Sequence, residues 1–391
     1  MNGTPSLLLT EDHPLHRVQR IAIGVAGAAL LVCAIAGLAN PTQLLRSYLV
    51  AFIFWMGATL GCMALLMIQH ITGGAWGIAI RRLLEAGART VPVMALLFVP
   101  IALGLGHLYE WAQPEHVAHD TLLQQKALYL NVPFFLARAA FYFLTWALLA
   151  RALSRWSLRQ DESFDPTPAA RLELISRGGL VLLALTMSFA AVDWAMSLEP
   201  HWFSTIYGVI YMGGSALTAF AVVIPIAALL MQHAPLKGLV TPDQLSDLGK
   251  LMLAFVMLWA YFNFSQFLIM WSGNLPEEIT WYLARLHGGW QWVALLIVLA
   301  HFALPFALLL SRRLKRDPQA LAGVALVLVV MRYIDVHWLV TPAWEPGHVS
   351  IHLLDIAAAL ALGGLWLWLF VRQLEAHPLL PLRDPVNPVV Q

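Results

Sequence analysis

The sequence predicts an all-α polytopic membrane protein with about ten transmembrane helices, and three observations support this prediction. Of its 391 residues, 60% are hydrophobic and only 12% are charged. The mean hydropathy is +0.72. Both values are typical of chains that place most of their length in a bilayer. The third observation is a series of apolar runs, each long enough to cross the roughly 30 Å of hydrocarbon in a membrane.

The apolar runs follow one another along the chain with polar segments between them. They lie near residues 21–39, 48–68, 91–109, 132–150, 178–198, 206–231, 250–272, 289–310, 321–341 and 353–371. We therefore expect an N-terminal tail over 1–20, a ten-helix membrane domain over 21–371 and a C-terminal tail over 372–391. The first run is full length and is followed by no small-residue cleavage site, so we expect a retained helix rather than a signal peptide.

Lysine and arginine are unevenly divided between the two predicted faces of the membrane. Of the 23, eighteen lie in the tails and in the loops after helices two, four, six and eight, whereas three lie in the other five loops. Arg138 and Arg332 lie inside helices. Because positive charge stays on the cytoplasmic side, we expect a multi-pass membrane protein with both termini in the cytoplasm. The formal net charge of +1 and scattered cations do not favour nucleic acid as a partner.

The sequence also indicates an internal duplication. An aromatic-Met-Gly-small-polar motif occurs at residues 55–59 and again at 211–215, and Asp193 and Asp335 each lie seven residues before a proline. These matches pair helices two to five with helices six to nine. We expect two four-helix bundles in parallel orientation, with helices one and ten as peripheral helices. The predicted bundles comprise residues of about 48–198 and about 206–341.

Arg332, Asp335 and His337 lie inside the ninth apolar run. A charge at the centre of a membrane helix costs roughly 2.5–3.5 kcal/mol on insertion scales, so such groups normally face protein or trapped water. Arg332 and Asp335 are three residues apart and share a helix face, which predicts an ion pair, whereas His337 points elsewhere. The functional interpretation is proton transfer, and the alternative is a structural pair that fixes helix packing.

Most of the ionisable groups within the helices fall in the half of the membrane opposite the termini, which predicts one polar pocket in each bundle. Carboxylates and imidazoles held together at low dielectric can accept and release protons. The candidates for proton transfer are Asp193, His201, Arg332, Asp335 and His337. For Asp193, the alternative is a position in an interfacial aromatic belt, because tryptophans lie nearby in the sequence.

No metal site and no covalently bound cofactor is expected. Cys33 and Cys62 lie in apolar runs without a CxxC or Cys/His motif. His287 and His301 have the fourteen-residue spacing of haem ligands, but no second helix carries a matching pair. In the seventh loop, Pro276 followed by two glutamates predicts a short surface helix. This segment is either a docking surface for an extracytoplasmic subunit or an interfacial turn.

Three longer stretches resemble a known family. They are DWAMSLEPHWFSTIYG at 193–208, YFNFSQFLIMWSGNLPEE at 261–278 and RLHGGW at 285–290. They resemble the F-type membrane subunit of bacterial alternative complex III, a quinol:cytochrome c oxidoreductase whose membrane subunits are similar to the polysulfide-reductase membrane anchors. The resemblance covers helices five to nine and, more loosely, the whole ten-helix plan.

The resemblance implies a subunit of a respiratory electron-transport complex, associated with quinol or proton transfer. Its implied partners are a sister membrane subunit, an iron–sulfur periplasmic subunit, haem c subunits and membrane lipids. In this family quinol oxidation is attributed mainly to the sister subunit, so the implied ligand, quinone or quinol, binds weakly here or not at all. The candidates for contacting it are His107, Arg138 and Asp355. His107 near a membrane interface could equally reach water, and Arg138 could equally snorkel.

Two alternatives come from other functional classes. One is a secondary transporter in which the two bundles move and the Arg332–Asp335 pair couples ions to a substrate. Transporter sites usually use interrupted helices at repeat-related positions, whereas the main mid-helix prolines here, Pro225 and Pro305, are not so related. The other alternative is a purely structural membrane anchor.

Overall fold

The structure is a computed structural model, and it describes residues 7–162 and 165–382. The prediction of an all-α polytopic membrane protein is confirmed, because these residues contain no β-strand and include ten helices long and apolar enough to cross a membrane. In chain order they are α1 Pro14–Ala39, α2 Pro41–Thr72, α3 Arg81–Leu103, α4 Val132–Glu162, α5 Thr167–Leu198, α6 Tyr207–Gln232, α7 Pro242–Gly273, α8 Trp290–Leu310, α9 Pro318–Ala343 and α10 Leu353–Glu375.

Local sequence explains where several of these helices begin. Proline occupies the first helical position of α1, α2, α7 and α9, where its missing N–H costs no hydrogen bond. The preceding side chains of Asn40, Thr241 and Asp317 accept hydrogen bonds from backbone N–H groups of the first turn. The short surface helix predicted from Pro276 is also present, at Pro276–Arg285.

Several helices extend beyond the predicted apolar runs. α1 begins at Pro14, within the segment predicted to be a tail, and α3 begins at Arg81 rather than near residue 91. The first turns of α3 carry charges that neutralise one another: Arg82 Nη1 lies 2.7 Å from Glu85 Oε2. The Ser157 hydroxyl donates to Glu85 Oε1 at 2.5 Å. The charges of this cluster are buried but paired. The helix therefore continues through them, whereas isolated charges would have ended it.

The helices pack as two groups that meet through their first members. In the first group α2 contacts α3 and α5, and α4 packs against α5; in the second α6 contacts α7 and α9, and α8 packs between α7 and α9. α2 and α6 form the main contact between the groups, and α10 packs against both α1 and α2. The apolar segments of α2 and α6 are 89% and 83% buried, against 22% for α7 and α8. α2 and α6 are therefore the centre of the molecule.

The two copies of the aromatic-Met-Gly motif meet at this centre. The Tyr211 hydroxyl of α6 donates to the backbone carbonyl oxygen of Ile53 in α2 at 3.1 Å. A Cβ added at Gly61 would lie 2.0 Å from the carbonyl oxygen of Ser215, and one at Gly57 would lie 3.1 Å from the Ser215 hydroxyl. The glycines therefore allow the two backbones to approach closely, as small residues do in membrane helix pairs.

Both ends of the described chain lie on one face of the molecule. The backbone N–H of Leu379 donates to the carbonyl oxygen of Leu7 at 2.8 Å, and the N–H of Leu382 donates to Asp161 Oδ1 at 2.9 Å. We call this side the terminal face and the other side the opposite face. The loops after α1, α3, α5, α7 and α9 lie on the opposite face.

Candidate functional site

The first group of helices contains a buried ion pair between Arg138 of α4 and Asp193 of α5. Arg138 donates from Nε to Asp193 Oδ2 and from Nη2 to Oδ1, both at 2.9 Å. The Tyr142 hydroxyl donates to the same Oδ2 at 2.8 Å. The third guanidinium nitrogen, Nη1, donates to the carbonyl oxygen of Tyr129 at 2.9 Å. Both carboxylate oxygens are thus occupied, which is the bidentate geometry of a strong, fixed pair.

The second group contains the pair predicted on α9. Arg332 and Asp335 form an ion pair one helical turn apart, and each is at most 2% exposed. The Trp259 indole of α7 donates to Asp335 Oδ2 at 3.1 Å. Arg332 Nη1 also bonds to Oδ2, so within the part of the chain that the structure describes Oδ1 accepts no hydrogen bond. Asp335 therefore retains acceptor capacity that Asp193 lacks.

Arg332 is held at the centre of the molecule by α6. Its Nε donates to the Thr218 hydroxyl at 3.3 Å, and a Cβ added at Gly214 would lie 2.2 Å from Nη2. Gly214 belongs to the duplicated motif and precedes Ser215, which packs on α2, so adjacent small residues of one motif serve the contact with α2 and make room for the guanidinium. This explains how a charge is accommodated in a span that is otherwise apolar.

A small cavity lies beside Arg332 between the two groups of helices. Its volume is about 10 Å³, which is near the minimum that holds one water molecule. Tyr207, Tyr211 and apolar side chains of α2, α5 and α9 complete its walls. A quinone ring does not fit a space of this size, so this cavity does not provide the quinone site that the family resemblance implies.

The other predicted proton-transfer residues lie apart from these pairs. His201 is on the surface of the opposite face, where its Nε2 lies 2.8 Å from Asp120 Oδ2. His337 is largely covered, and its Nδ1 lies 3.1 Å from the Thr341 hydroxyl. No hydrogen bond or ion pair in the described segments joins either histidine to Asp335, although His337 is on the same helix.

The three residues predicted to contact quinone are likewise separate. His107 is exposed, with Nδ1 3.4 Å from the Thr42 hydroxyl, and Arg138 is committed to Asp193. Asp355 accepts a 2.5 Å hydrogen bond from the Ser47 hydroxyl and one at 2.9 Å from its own helix N-cap, the N–H of His352. These three residues therefore do not form a common quinone pocket.

A third ion pair, between Arg285 and Glu199 on the opposite face, was not predicted from the sequence. Arg285 is fully buried, and its Nη2 lies 2.9 Å from Glu199 Oε2. The same guanidinium donates to the carbonyl oxygens of Trp281 and Leu339, each at 2.9 Å, and lies over the Trp281 ring at 3.6 Å from its centroid. Arg285 therefore ties the short helix Pro276–Arg285 to the loop after α5 and to the end of α9. Arg285 is the first residue of the stretch RLHGGW, which carries the family resemblance. This was the signal in the sequence that could have identified it.

Outside the membrane helices, the groups with shifted pKa values include Asp120 and His377. Hydrogen bonds from the N–H groups of Leu123 and Leu122, with the nearby His201, lower the pKa of Asp120, which caps the short helix Thr121–Lys126. Burial, together with the positive charges of Arg89 and Arg82, lowers the pKa of His377 on the terminal face. The lowered pKa of Asp120 favours its charged form, and the lowered pKa of His377 favours its neutral form.

Sequence reasoning also missed the role of Trp259 and the burial of His301, because both depend on how α7 and α8 are rotated about their axes. Among the described residues, no group of three or more His, Cys, Asp or Glu side chains is placed to hold a metal ion. No family model matches the chain, and no curated protein matches it either.

Proposed function

We propose that the chain is an integral membrane subunit of a respiratory quinol:cytochrome c oxidoreductase and that its Arg332–Asp335 pair transfers protons toward the periplasmic side. The observation that carries this proposal is a carboxylate buried in an apolar helix with one oxygen free to accept a proton. Intramembrane ionisable groups of this kind commonly belong to proton relays. Oxidation of a quinol releases two protons, and a nearby base on the outer side can receive them.

The position of the pair agrees with this role. Asp335 lies eight residues before the end of α9 at Ala343, or about 12 Å from the opposite face at 1.5 Å per residue. Arg332 holds the carboxylate when it is charged, and the adjacent cavity has room for about one water molecule. The distribution of lysine and arginine predicts that the terminal face is cytoplasmic and that the opposite face is periplasmic in a bacterial inner membrane.

The three stretches that carry the family resemblance support the choice of complex, because they converge in space. The Ser204 hydroxyl donates to Gln266 Oε1 at 2.8 Å, which joins the first stretch to the second. The Trp202 indole donates to the carbonyl oxygen of Glu278 at 3.2 Å. The Arg285–Glu199 pair joins the third stretch to the first. Residues far apart in sequence thus build one region of the opposite face, where periplasmic iron–sulfur and haem c subunits would dock.

The two aspartates differ in what they contribute. Asp193 is saturated by Arg138 and Tyr142, so we assign it to holding α4 against α5, and we assign proton exchange to Asp335. The quinol would be oxidised in the sister membrane subunit, because the cavity beside Arg332 is too small for a quinone ring. The chain would then receive the released protons rather than the quinol.

The test uses the full chain purified from its native membrane with an affinity tag. We expect haem c and iron–sulfur proteins to co-purify, whereas a solitary chain would favour the transporter alternative. In the assembled complex, Asp335→Asn should lower proton release and quinol:cytochrome c activity at least tenfold, because proton transfer by a positioned group contributes roughly 10²–10⁴-fold. Subunit and haem content should not change.

The matched control is Asp243→Asn, which alters an exposed carboxylate at the terminal-face end of α7, paired with Arg316. It should leave proton release and activity at their normal values. If Asp335→Asn also leaves both values unchanged, Asp335 has no part in proton transfer and the proposal is wrong.

A further inference from the structure

The strongest feature outside the pairs already described is a buried histidine in the middle of α8. His301 is fully buried, and neither Nδ1 nor Nε2 has a hydrogen-bond partner among the residues that the structure describes. A neutral imidazole carries one donor and one acceptor. An apolar side chain of similar size would leave nothing unpaired at this position, so packing alone does not account for a histidine here.

The sequence around His301 creates an irregular helical turn. Pro305 follows His301 by four residues; it has no N–H to donate to the His301 carbonyl, and its ring would clash with that carbonyl in a regular α-helix. The chain responds with a π-helix at Ile297–Ala303, and α-helix resumes at Leu304–Leu310. Wider turns of this kind are common at functional sites. His301 occupies the turn and is directed into the second group of helices.

The imidazole is in contact with the proposed proton site. The ring centroids of His301 and Trp259 lie 4.0 Å apart, in an edge-on arrangement. The same indole donates its N–H to Asp335 Oδ2. The charged group that acts on His301 is Arg332 of α9, while α7 contributes the uncharged Trp259, which lies against His301 and bonds to Asp335. The cavity, Arg332, Asp335, Trp259 and His301 thus form a continuous series from the centre of the molecule to α8.

We propose that His301 is a second proton-exchanging group of this site and that Trp259, which touches both side chains, links it to Asp335. In the step concerned, the proton of a protonated Asp335 carboxyl passes by way of a water molecule to an imidazole nitrogen, which leaves a carboxylate and an imidazolium. There is no other net change of bonds, and Arg332 neutralises the carboxylate. This inference rests on the proposed function, because it takes Asp335 as the group that first receives a proton.

The direct test measures deuterium exchange at the imidazole C2–H of each histidine by mass spectrometry, in the purified full-length assembly and over a range of pH. We expect the exchange rate of His301 to depend on pH, which shows that it is reached by solvent protons and titrates. In Asp335→Asn this pH profile should shift, while the profile of the exposed His107 should not. Exchange at background level at every pH, or a profile unaffected by Asp335→Asn, would overturn the proposal.

Two variants separate a proton-exchanging role from a structural one. His301→Leu removes the unpaired polar atoms, so its thermal unfolding temperature should be equal to or higher than that of the wild type, while proton release falls at least tenfold. A structural histidine would give the reverse result, a lower unfolding temperature with normal proton release. Leu309→Met, at a fully buried position of the same helix, is the packing control and should change neither value greatly.

The outcomes also distinguish this inference from the proposed function. If Asp335→Asn abolishes proton release and His301→Leu does not, only the role of His301 is wrong. If neither substitution affects proton release, the proposed function fails as well. Pro305→Ala provides an independent check, because a regular helix would turn His301 away from Trp259 and should change the exchange profile of His301 without altering its chemistry.

Discussion

The close contact between α2 and α6 makes a quantitative prediction at Gly61. An alanine there places Cβ 2.0 Å from the carbonyl oxygen of Ser215, whereas non-bonded carbon atoms prefer separations of about 3.5 Å. The obstacle is backbone, which cannot rotate away as a side chain can. The two helices would therefore have to separate by about 1.5 Å, and overpacking of this kind typically costs about 1–3 kcal/mol.

Gly24→Ala on α1 is the matched control. A Cβ at Gly24 would meet nothing within 4 Å, and alanine is favoured over glycine inside a helix by about 1 kcal/mol. The two glycine-to-alanine substitutions should therefore act in opposite directions. Thermal unfolding in detergent, followed by circular dichroism, should show a lower midpoint for Gly61→Ala and an equal or higher midpoint for Gly24→Ala. Equal midpoints for Gly61→Ala and the wild type would refute the close packing of α2 on α6.

Further predictions concern the pairs and the opposite face. Asp193→Asn should destabilise the chain by about 3–5 kcal/mol, because it leaves the Arg138 guanidinium buried without its partner, and adding Arg138→Met should recover part of that loss in the same unfolding assay. Arg285→Lys should speed proteolytic cleavage of the loop after α7, because an ammonium group cannot hold Glu199 and two backbone carbonyls in one plane. The lowered pKa of Asp120 means that its stabilisation of the short helix after it is complete above the ordinary pKa and is lost as pH falls through the lowered value. Amide exchange in that helix, corrected for the intrinsic rate, should therefore rise at low pH in the wild type and be fast at all pH values in Asp120→Ala, which has no side-chain oxygen to accept these hydrogen bonds.

The membrane architecture and one of the buried ion pairs could be predicted from the sequence. Apolar runs of the required length identify the ten helices directly, because a bilayer admits few other spanning structures. The Arg332–Asp335 pair is local, since residues three apart on a helix lie on one face. The duplicated motif is also a local pattern. It marks positions where small residues permit close packing.

The remaining parts depend on how helices are placed relative to one another. Arg138 and Asp193 are 55 residues apart, and their pairing requires a particular register between α4 and α5 that no local pattern specifies. α3 begins ten residues earlier than predicted because Glu85 compensates arginines that the sequence places in a loop. His301 lies near the middle of α8, but the direction of its side chain follows from the π-helix, for which Pro305 was the only local signal.

Infrared difference spectroscopy of the assembled complex tests the central claim most directly, because it observes the protonation of a carboxylate itself. On quinol oxidation, the account predicts a carboxylic acid C=O band that appears in the wild type and in Asp243→Asn and is missing in Asp335→Asn. A band that persists unchanged in Asp335→Asn would contradict the account, because the proton would then be carried by another group.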